Sequence, residues 1–398
     1  MDITITPGTL SGTLSAIPSK SQAHRLLICA AFADKPTTVY CPETSRDIEA
    51  TVDCLNALGA EITRSTAGYQ ITPIATLPEK AILNCSESGS TLRFMLPLVG
   101  ALGVDGTFQM SGRLPLRPLS PLWEQMQQMG CILTRYPDKS IRCQGQLRPG
   151  VYRIPGNISS QYITGLLLAL VHLQDESKIF IDGKLESKPY VDLTLQTMQI
   201  FGISASIDYI PGNQRFHSPR VITVEGDWSN AAFFLTAKAL GNPLTVTGLN
   251  PDSVQGDREV AIVLSEMKEN IVISAADIPD LIPVLSVMAA CNHGSVFTDI
   301  QRLRLKESDR VAAVIAMIKN LGGKATSTEN TLTIYGTGLN GGIVDSVNDH
   351  RIAMSAAIAA TVCKQPVTIL GSECVQKSYP TFFDEYRRLG GIYEQYLR

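Results

Sequence analysis

A chain of 398 residues exceeds what one ordinary hydrophobic core fills, so two domains of roughly 200 residues each are expected. Its 44% hydrophobic and 18% charged residues exclude a disordered chain, and a net charge of −3 excludes a global field for holding nucleic acid. Nine cysteines at irregular spacings, with no CxxC pair, argue against a zinc site or a disulfide framework and fit a reducing compartment.

The N-terminal MDITITPGTL lacks the basic start and apolar run of a signal peptide, and Asp2 to Thr6 reads as a strand. HRLLICAAFA follows as a helix apolar nearly all round, hence buried. CLNALGAEIT is then an amphipathic helix, Gly59 and a strand ending near Thr63, with a hairpin signal in TRSTAGYQIT. The same phrase returns. STLRFMLPLVGAL precedes WEQMQQMGCILT with Gly130, and SQYITGLLLALVHL precedes LQTMQIFGISASI with Gly202 and a strand near Ile207. NAAFFLTAKAL precedes a weaker copy without the glycine, VLSEMKENIVIS. IPDLIPVLSVMAA precedes MIKNLGGKATST with Gly322, and HRIAMSAAIAATV precedes YRRLGGIYEQY with Gly390.

Six copies, spaced roughly 50–70 residues apart, imply one supersecondary unit used six times. Each glycine is expected in the left-handed conformation that ends a helix. The unit reads β-α-β-α-β-β, giving an α/β fold of two domains with three units each. VITVEGDWS closes the third unit, which puts a hinge near Gly226. If Asp2 to Thr6 completes the second half, the domains are 16–226 and 1–15 plus 227–398, with another crossing near Ala16. The apolar stretch Ile163 to Leu173 is too short to span a membrane, so a soluble cytoplasmic protein is expected.

Cationic and polar motifs sit at the starts of these helices, where free N–H groups and the helix dipole favour anions. PSKSQAHR offers Ser19 or Ser21 as a cap and brings Lys20 and Arg25 to the helix mouth. SESGSTLRF lets a ligand approach the backbone at Gly89, with Arg93 one turn inside. GRLPLRPLSPL holds Arg113 and Arg117 in a proline-stiffened loop that could clamp a carboxylate or phosphate. Ser159, Ser160 and Gln161 are neutral donors at a further helix start, and Ser187, Lys188 and Tyr190 precede the next. ADIPDLIP contributes Asp277 and the more deeply placed Asp280 to an apolar helix. LRLKESDRV carries Lys306, Glu307, Asp309 and Arg310, where Glu307 and Arg310 at i,i+3 read as a routine surface bridge. NDHRIAM places His350 and Arg351 at the head of a very apolar helix, where idle charge is expensive. VQKSYP sets Lys377 before the final helix. If the two halves face each other, these helix starts converge on one cleft.

Together the segments resemble the 5-enolpyruvylshikimate-3-phosphate synthase family over essentially the whole chain. PSKSQAHR is similar to that family's N-terminal lysine–serine–arginine motif, and LRLKESDR and NDHRIAMS to its two C-terminal signatures. The resemblance implies two domains of three βαβαββ units, an inside-out α/β barrel architecture, with the active site in the cleft between them. It implies that Ser21, Arg25, Ser159, Ser160, Gln161, Ser187, Tyr190, Asp280 and Lys306 bind shikimate 3-phosphate. It implies that Lys20, Gly89, Arg117, Gln161, Arg310, His350, Arg351 and Lys377 serve phosphoenolpyruvate. Asp280 would take the proton of the 5-hydroxyl, and Glu307, with Lys20 as a second candidate, would protonate the methylene carbon. No metal, cofactor, nucleic acid or membrane is implied, and a monomer is expected. This chain has SGSTLR where many members have an asparagine–alanine–glycine–threonine loop, Arg302 where many have asparagine, and a fourth unit abbreviated around Glu269 to Ser274.

A related enolpyruvyl transferase that acts on UDP-N-acetylglucosamine is usually marked by a lysine–asparagine pair and a loop cysteine. Here Ser21 follows Lys20, and Gly112 to Leu122 contains no cysteine. A non-catalytic phosphometabolite-binding protein on the same repeats could dispense with Asp280 and Glu307, and both are present.

Overall fold

In the computed structural model, which describes residues 1–396, five of the repeated helices end on a left-handed glycine. Gly59, Gly130, Gly202, Gly322 and Gly390 have φ of 101°, 115°, 79°, 86° and 99°. A side chain there would be strained, so the residue type itself punctuates each repeat. The chain divides into two compact units, one formed by Pro18–Glu225 and the other by Met1–Ile17 with the chain from Gly226 onward.

The unit from Pro18 to Glu225 contains helices α1 (Lys20–Ala31), α2 (Arg46–Ala57), α3 (Gly89–Leu102), α4 (Leu122–Gln128), α5 (Ser160–Leu170) and α6 (Lys188–Ile200). Its first sheet pairs Val221–Thr223 parallel with Thr37–Tyr40, which is antiparallel to Gly68–Thr72, itself antiparallel to Glu61–Ser65. The second repeats this order with Lys80–Asn84, Asp105–Gln109, Ile141–Gly145 and Cys131–Arg135. In the second sheet the parallel step crosses over through the buried helix α3, and in both a hairpin closes the antiparallel side. Strand faces alternate as a half-covered sheet requires, with Ala81 and Leu83 buried and Ile82 exposed.

The third sheet has only Val151–Pro155 parallel to Lys178–Asp182. The strand expected after Gly202 forms no ladder; Ser177 bridges Ile210 alone. Pro211 and Gly212 turn the chain away at once, leaving no partner strand to form a hairpin. Helices α1, α3 and α5 are buried along nearly their whole length. Gly165 of α5 meets the main-chain oxygen of Arg93 on α3, an approach a Cβ would block. That contact sets how the starts of α3 and α5 lie beside each other.

The second unit contains α7 (Trp228–Ala239), α8 (Val260–Glu266), α9 (Ile282–Cys291), α10 (Arg310–Asn320), α11 (His350–Ala360) and α12 (Phe382–Arg388). Its complete sheets order Ile271–Ser274, Ser295–Thr298, Thr331–Tyr335 and Lys324–Ser327, then Gly342–Asp345, Val367–Leu370, Asp2–Thr6 and Ile392–Tyr396. Asp2–Thr6 thus sits between strands from the far end of the chain, with Ile5 opposite both Val367 and Tyr393.

The abbreviated unit has two strands, Gly12–Ser15 parallel to Leu244–Thr247. Its second helix, α8, runs straight into Ile271–Ser274, which already belongs to the next sheet. VLSEMKENIVIS is therefore the end of one repeat and the start of another. The helix predicted from Ile278 begins only at Ile282, because Pro283 is tolerated in a first turn and not deeper. Asp280 consequently lies in the turn ahead of α9 rather than on it. Each unit has its own apolar core.

Candidate active site

In the unit from Pro18 to Glu225, three helix starts carry the polar groups. Ser19 caps α1 by accepting from Gln22 N, and the next residue, Lys20, donates from Nζ to Asp47 Oδ2 at 2.7 Å. Asp47 lies in the first turn of α2. Ser21 is half-buried, and its main-chain oxygen accepts from Arg25 Nη1 at 2.5 Å.

Arg25 is buried, and every hydrogen bond it makes is to a neutral oxygen. Nε donates to Thr194 Oγ1 at 2.7 Å, and Nη2 to Thr164 Oγ1 at 3.1 Å and to the main-chain oxygen of Tyr190 at 3.0 Å. The guanidinium also lies over the Phe94 ring, 5.1 Å from its centre. Burial presses its pKa down to about 10. Among the described residues no carboxylate pairs with it.

Gly89 opens α3 behind its cap, Ser88. An ideal Cβ at this position would lie 2.5 Å from Arg117 Nη1 and 2.6 Å from Arg93 Nη1. Only a residue without a side chain lets two guanidinium groups press against a helix N-terminus, where the free amides already favour an anion. Arg93 donates to Gln161 Oε1 at 2.9 Å, and Gln161 Nε2 donates to Ser90 Oγ at 2.9 Å. Gln161 therefore bridges the starts of α3 and α5. Ser159 caps α5, and Ser160 is its first residue. Ser187 precedes α6 in the left-handed region, with φ of 54°, and is buried. Arg113 and Lys188 are exposed, and Lys188 pairs with Asp192 across one helical turn, so neither belongs to this cluster.

The second unit holds a denser group. Arg310, the first residue of α10, has a side chain 1% exposed and engages three carboxylates. Nε donates to Asp349 Oδ2 at 2.9 Å, Nη1 to Asp280 Oδ1 at 2.5 Å and Nη2 to Glu307 Oε2 at 2.6 Å. Burial opposes its charge, and the Asp349, Glu307 and Asp280 carboxylates together outweigh that and raise its pKa. The Glu307–Arg310 pair is thus no routine surface bridge; its cation is the buried hub of a network. Asp349 is fully buried, caps α11 and also accepts from Ser308 Oγ at 2.9 Å.

Asp280 is enclosed by cations. Arg351 Nη2 donates to Oδ2 at 3.0 Å, and Lys306 Nζ lies 3.7 Å from Oδ1. Burial pushes its pKa up, but Arg351, Lys306 and Arg310 hold it well below the usual carboxylate range. Burial, reinforced by Arg302 and Arg310, lowers Lys306 to about 8 against the pull of Asp280 and Glu307. Arg302 is buried and donates from Nη1 to Ala276 O at 3.3 Å. His350, the first residue of α11, is buried beside Arg351. Lys377 Nζ donates to Asn348 O at 2.8 Å, on a stretch where Val347 and Asn348 both have positive φ, 46° and 59°. Two such residues in succession, one β-branched, are costly backbone kept where a carbonyl must face a lysine. Asp277 is exposed.

Lys20, Arg25, Gly89, Arg117 and Gln161 thus lie in one unit and Asp280, Lys306, Glu307, Arg310, Arg351 and Lys377 in the other, while the exposed Arg113, Lys188 and Asp277 stand apart. Asp47, Thr164, Thr194, Ser308 and Asp349 were not among the residues singled out from the sequence. Asp349 stands inside NDHR, and its place before an apolar helix marks it as a cap; that was the available signal. Among the described residues no group of His, Cys, Asp or Glu is arranged to hold a metal ion, and no helix is long and apolar enough to cross a membrane.

Comparison with known proteins shows the family. A family model described as EPSP synthase (3-phosphoshikimate 1-carboxyvinyltransferase) matches residues 5–386. Proteins named 3-phosphoshikimate 1-carboxyvinyltransferase from Clostridium kluyveri and Clostridium beijerinckii are 38% and 39% identical. Each alignment covers 99% of this chain, and 98% and 99% of those proteins respectively. A solved EPSP synthase structure from Acinetobacter baumannii shares the fold, with a TM-score of 0.80 at 24% identity, covering 99% of this chain and 100% of that one.

Proposed function

The chain belongs to the EPSP synthase family, and on that premise we propose how its residues act. It transfers the enolpyruvyl group of phosphoenolpyruvate to the 5-hydroxyl of shikimate 3-phosphate and releases inorganic phosphate. The observation that carries the residue assignment is the enclosure of Asp280 by Arg351, Arg310 and Lys306.

Both ligands are multiply anionic, and bringing them together needs fixed cations in a place poor in water. Arg25, with neutral partners only, receives the phosphate of shikimate 3-phosphate, assisted by Ser159, Ser160, Gln161, Ser187 and Tyr190. Ser21 and Lys306 complete that ligand's contacts. Gly89, Arg117, Lys20, Gln161, Arg310, His350, Arg351 and Lys377 serve phosphoenolpyruvate.

In the addition step the 5-oxygen bonds to C2 of phosphoenolpyruvate while its proton passes to Asp280. The methylene C3 takes a proton from Glu307, with Lys20 as the alternative donor, giving a tetrahedral ketal phosphate. In elimination C3 returns that proton to the group that gave it, the double bond reforms, and the C2–O bond breaks as the departing phosphate takes the proton held by Asp280. Without ligands Asp280 is a weak base, because three cations stabilise its charge. Anions bound to those same cations offset that stabilisation and raise its proton affinity when the hydroxyl is in place. The substrate thereby activates its own base.

The test is phosphate release on mixing purified protein with phosphoenolpyruvate and shikimate 3-phosphate. Release with that acceptor and none with UDP-N-acetylglucosamine supports the reading. Release with the nucleotide sugar alone overturns it, and ligand-induced stabilisation with no turnover makes the protein a binder only.

A further inference from the structure

Between α1, α2 and α3 runs a line of buried polar groups to which the reaction above assigns no task. His24, on α1, has Nδ1 2.7 Å from Thr51 Oγ1 on α2. Thr51 Oγ1 lies 2.8 Å from Thr91 Oγ1 on α3. Thr91 Oγ1 donates to Ser88 Oγ at 2.8 Å and towards the main-chain oxygen of Asp47 at 3.3 Å. The imidazole and all three hydroxyl side chains are buried.

The far end of this chain decides its direction. The Asp47 carbonyl can only accept, so the single Thr91 hydroxyl proton points to that carbonyl and Ser88, away from Thr51. Thr51 must then donate to Thr91, which leaves the Thr51 oxygen as an acceptor for His24. Nδ1 therefore carries the imidazole proton. Nε2 becomes a bare lone pair, buried and without a hydrogen-bond partner among the described residues, beside the Phe94 ring with centres 6.2 Å apart. A buried polar atom left unmatched is uncommon, and here the bond at Nδ1 alone aims the ring. Burial first, then the charges of Lys20 and Arg25, hold the His24 pKa well below its ordinary value, so the ring stays neutral.

Both branches at the far end of the chain reach site residues. Ser88 caps α3 directly before Gly89, and Asp47 accepts from Lys20. We propose that His24 is a positioning residue: as the Nδ1–H tautomer it locks the starts of α2 and α3 to α1, setting the spacing between the Lys20 ammonium and the cradle of Gly89, Arg93 and Arg117 that takes phosphoenolpyruvate. The inference rests on the functional reading above. Small displacements of such a cradle matter, since a shift of about 1 Å can cost about 10²-fold in rate.

Three variants test it. Thr51→Val cuts the chain with little change in volume but strands the His24 donor. The double variant His24→Leu with Thr51→Val cuts it while leaving no orphaned group, which protects the fold. His24→Asn can donate from its amide near the position of Nδ1. Expected is a rise of about tenfold in the KM for phosphoenolpyruvate in both chain-cutting variants, with kcat and the KM for shikimate 3-phosphate within about twofold, and recovery in His24→Asn. Nitrogen chemical shifts of His24 in the wild-type protein should report the Nδ1–H tautomer. An Nε2–H tautomer overturns the proposal. So does an unchanged KM for phosphoenolpyruvate in the double variant, or a proportional change in all three constants with a lowered Tm. Failure of the functional reading shows in the wild-type protein, which then releases no phosphate, whereas failure of this inference shows in the variants and the tautomer.

Discussion

Arg351 grips Asp280 at two points, with Nη2 3.0 Å from the Oδ2 carboxylate oxygen and Nη1 3.3 Å from the main-chain oxygen. The contact ties the head of α11 to the turn before α9, and it shows why Asp280 cannot be judged as an isolated acid. Its proton affinity depends on what else those cations hold.

Asp280→Asn and Glu307→Gln should each lower kcat by about 10²- to 10⁴-fold, the range general acid–base groups contribute. Shikimate 3-phosphate should still raise the Tm of both variants, because the cations remain. Phosphate-release kinetics with a thermal-shift control decide this. Normal turnover in both variants would remove Asp280 and Glu307 from the acid–base roles.

Lys306 has a folded pKa of about 8, below its ordinary value near about 10.4. Its favourable contribution to ligand-free stability is therefore complete above the unfolded pKa and lost as pH falls through about 8. Binding runs the other way, since the anion needs the ammonium. The Kd of shikimate 3-phosphate should be flat below about pH 8 and climb towards tenfold per unit above it. Lys306→Arg should flatten the curve; a wild-type Kd that does not move between about pH 7 and about pH 9.5 contradicts the assignment.

Gly89→Ala introduces a Cβ 2.5 Å from Arg117 Nη1 and 2.6 Å from Arg93 Nη1. Both guanidinium groups must move, so the KM for phosphoenolpyruvate should rise by about tenfold or more. The KM for shikimate 3-phosphate should change far less. Steady-state kinetics with each substrate varied in turn separate the two, and equal changes in both would refute the placement.

Arg25→Met removes a buried cation whose partners Thr164 and Thr194 already lie 2.8 Å apart and can bond each other. The ligand-free fold should survive. What should vanish is stabilisation by shikimate 3-phosphate, which at about a hundredfold over Kd is worth about 2.7 kcal/mol in the wild type. An undiminished Tm shift in this variant would place the phosphate elsewhere.

The repeat was legible in the residues because each helix end needs a positive φ that glycine alone adopts cheaply. A buried helix also needs a long apolar run, and both are local demands. Missing strands were less legible. Ile203–Ile207 has β-branched residues like its counterparts, yet it forms no ladder, since a strand exists only with a partner and the chain turns at Pro211 and Gly212. The helix holding Asp280 was misplaced by one turn for a local reason that the prolines did carry.

At the site, LRLKESDR and NDHRIAM announced themselves through charge at the head of apolar helices, where burial forces every cation to have a purpose. Their pairing was another matter. Arg310 and Glu307 are three residues apart and suggest a surface bridge; the Asp349 and Asp280 contacts span 39 and 30 residues of chain and make Arg310 a buried hub. Residue types and periodicity determined the repeated fold and which side chains carry charge, and three motifs carried the resemblance to the family. Tertiary structure alone decided which charges meet and how far they shift each other's protons. Coulomb and desolvation energies depend on distance and burial, and neither is set by position along the chain.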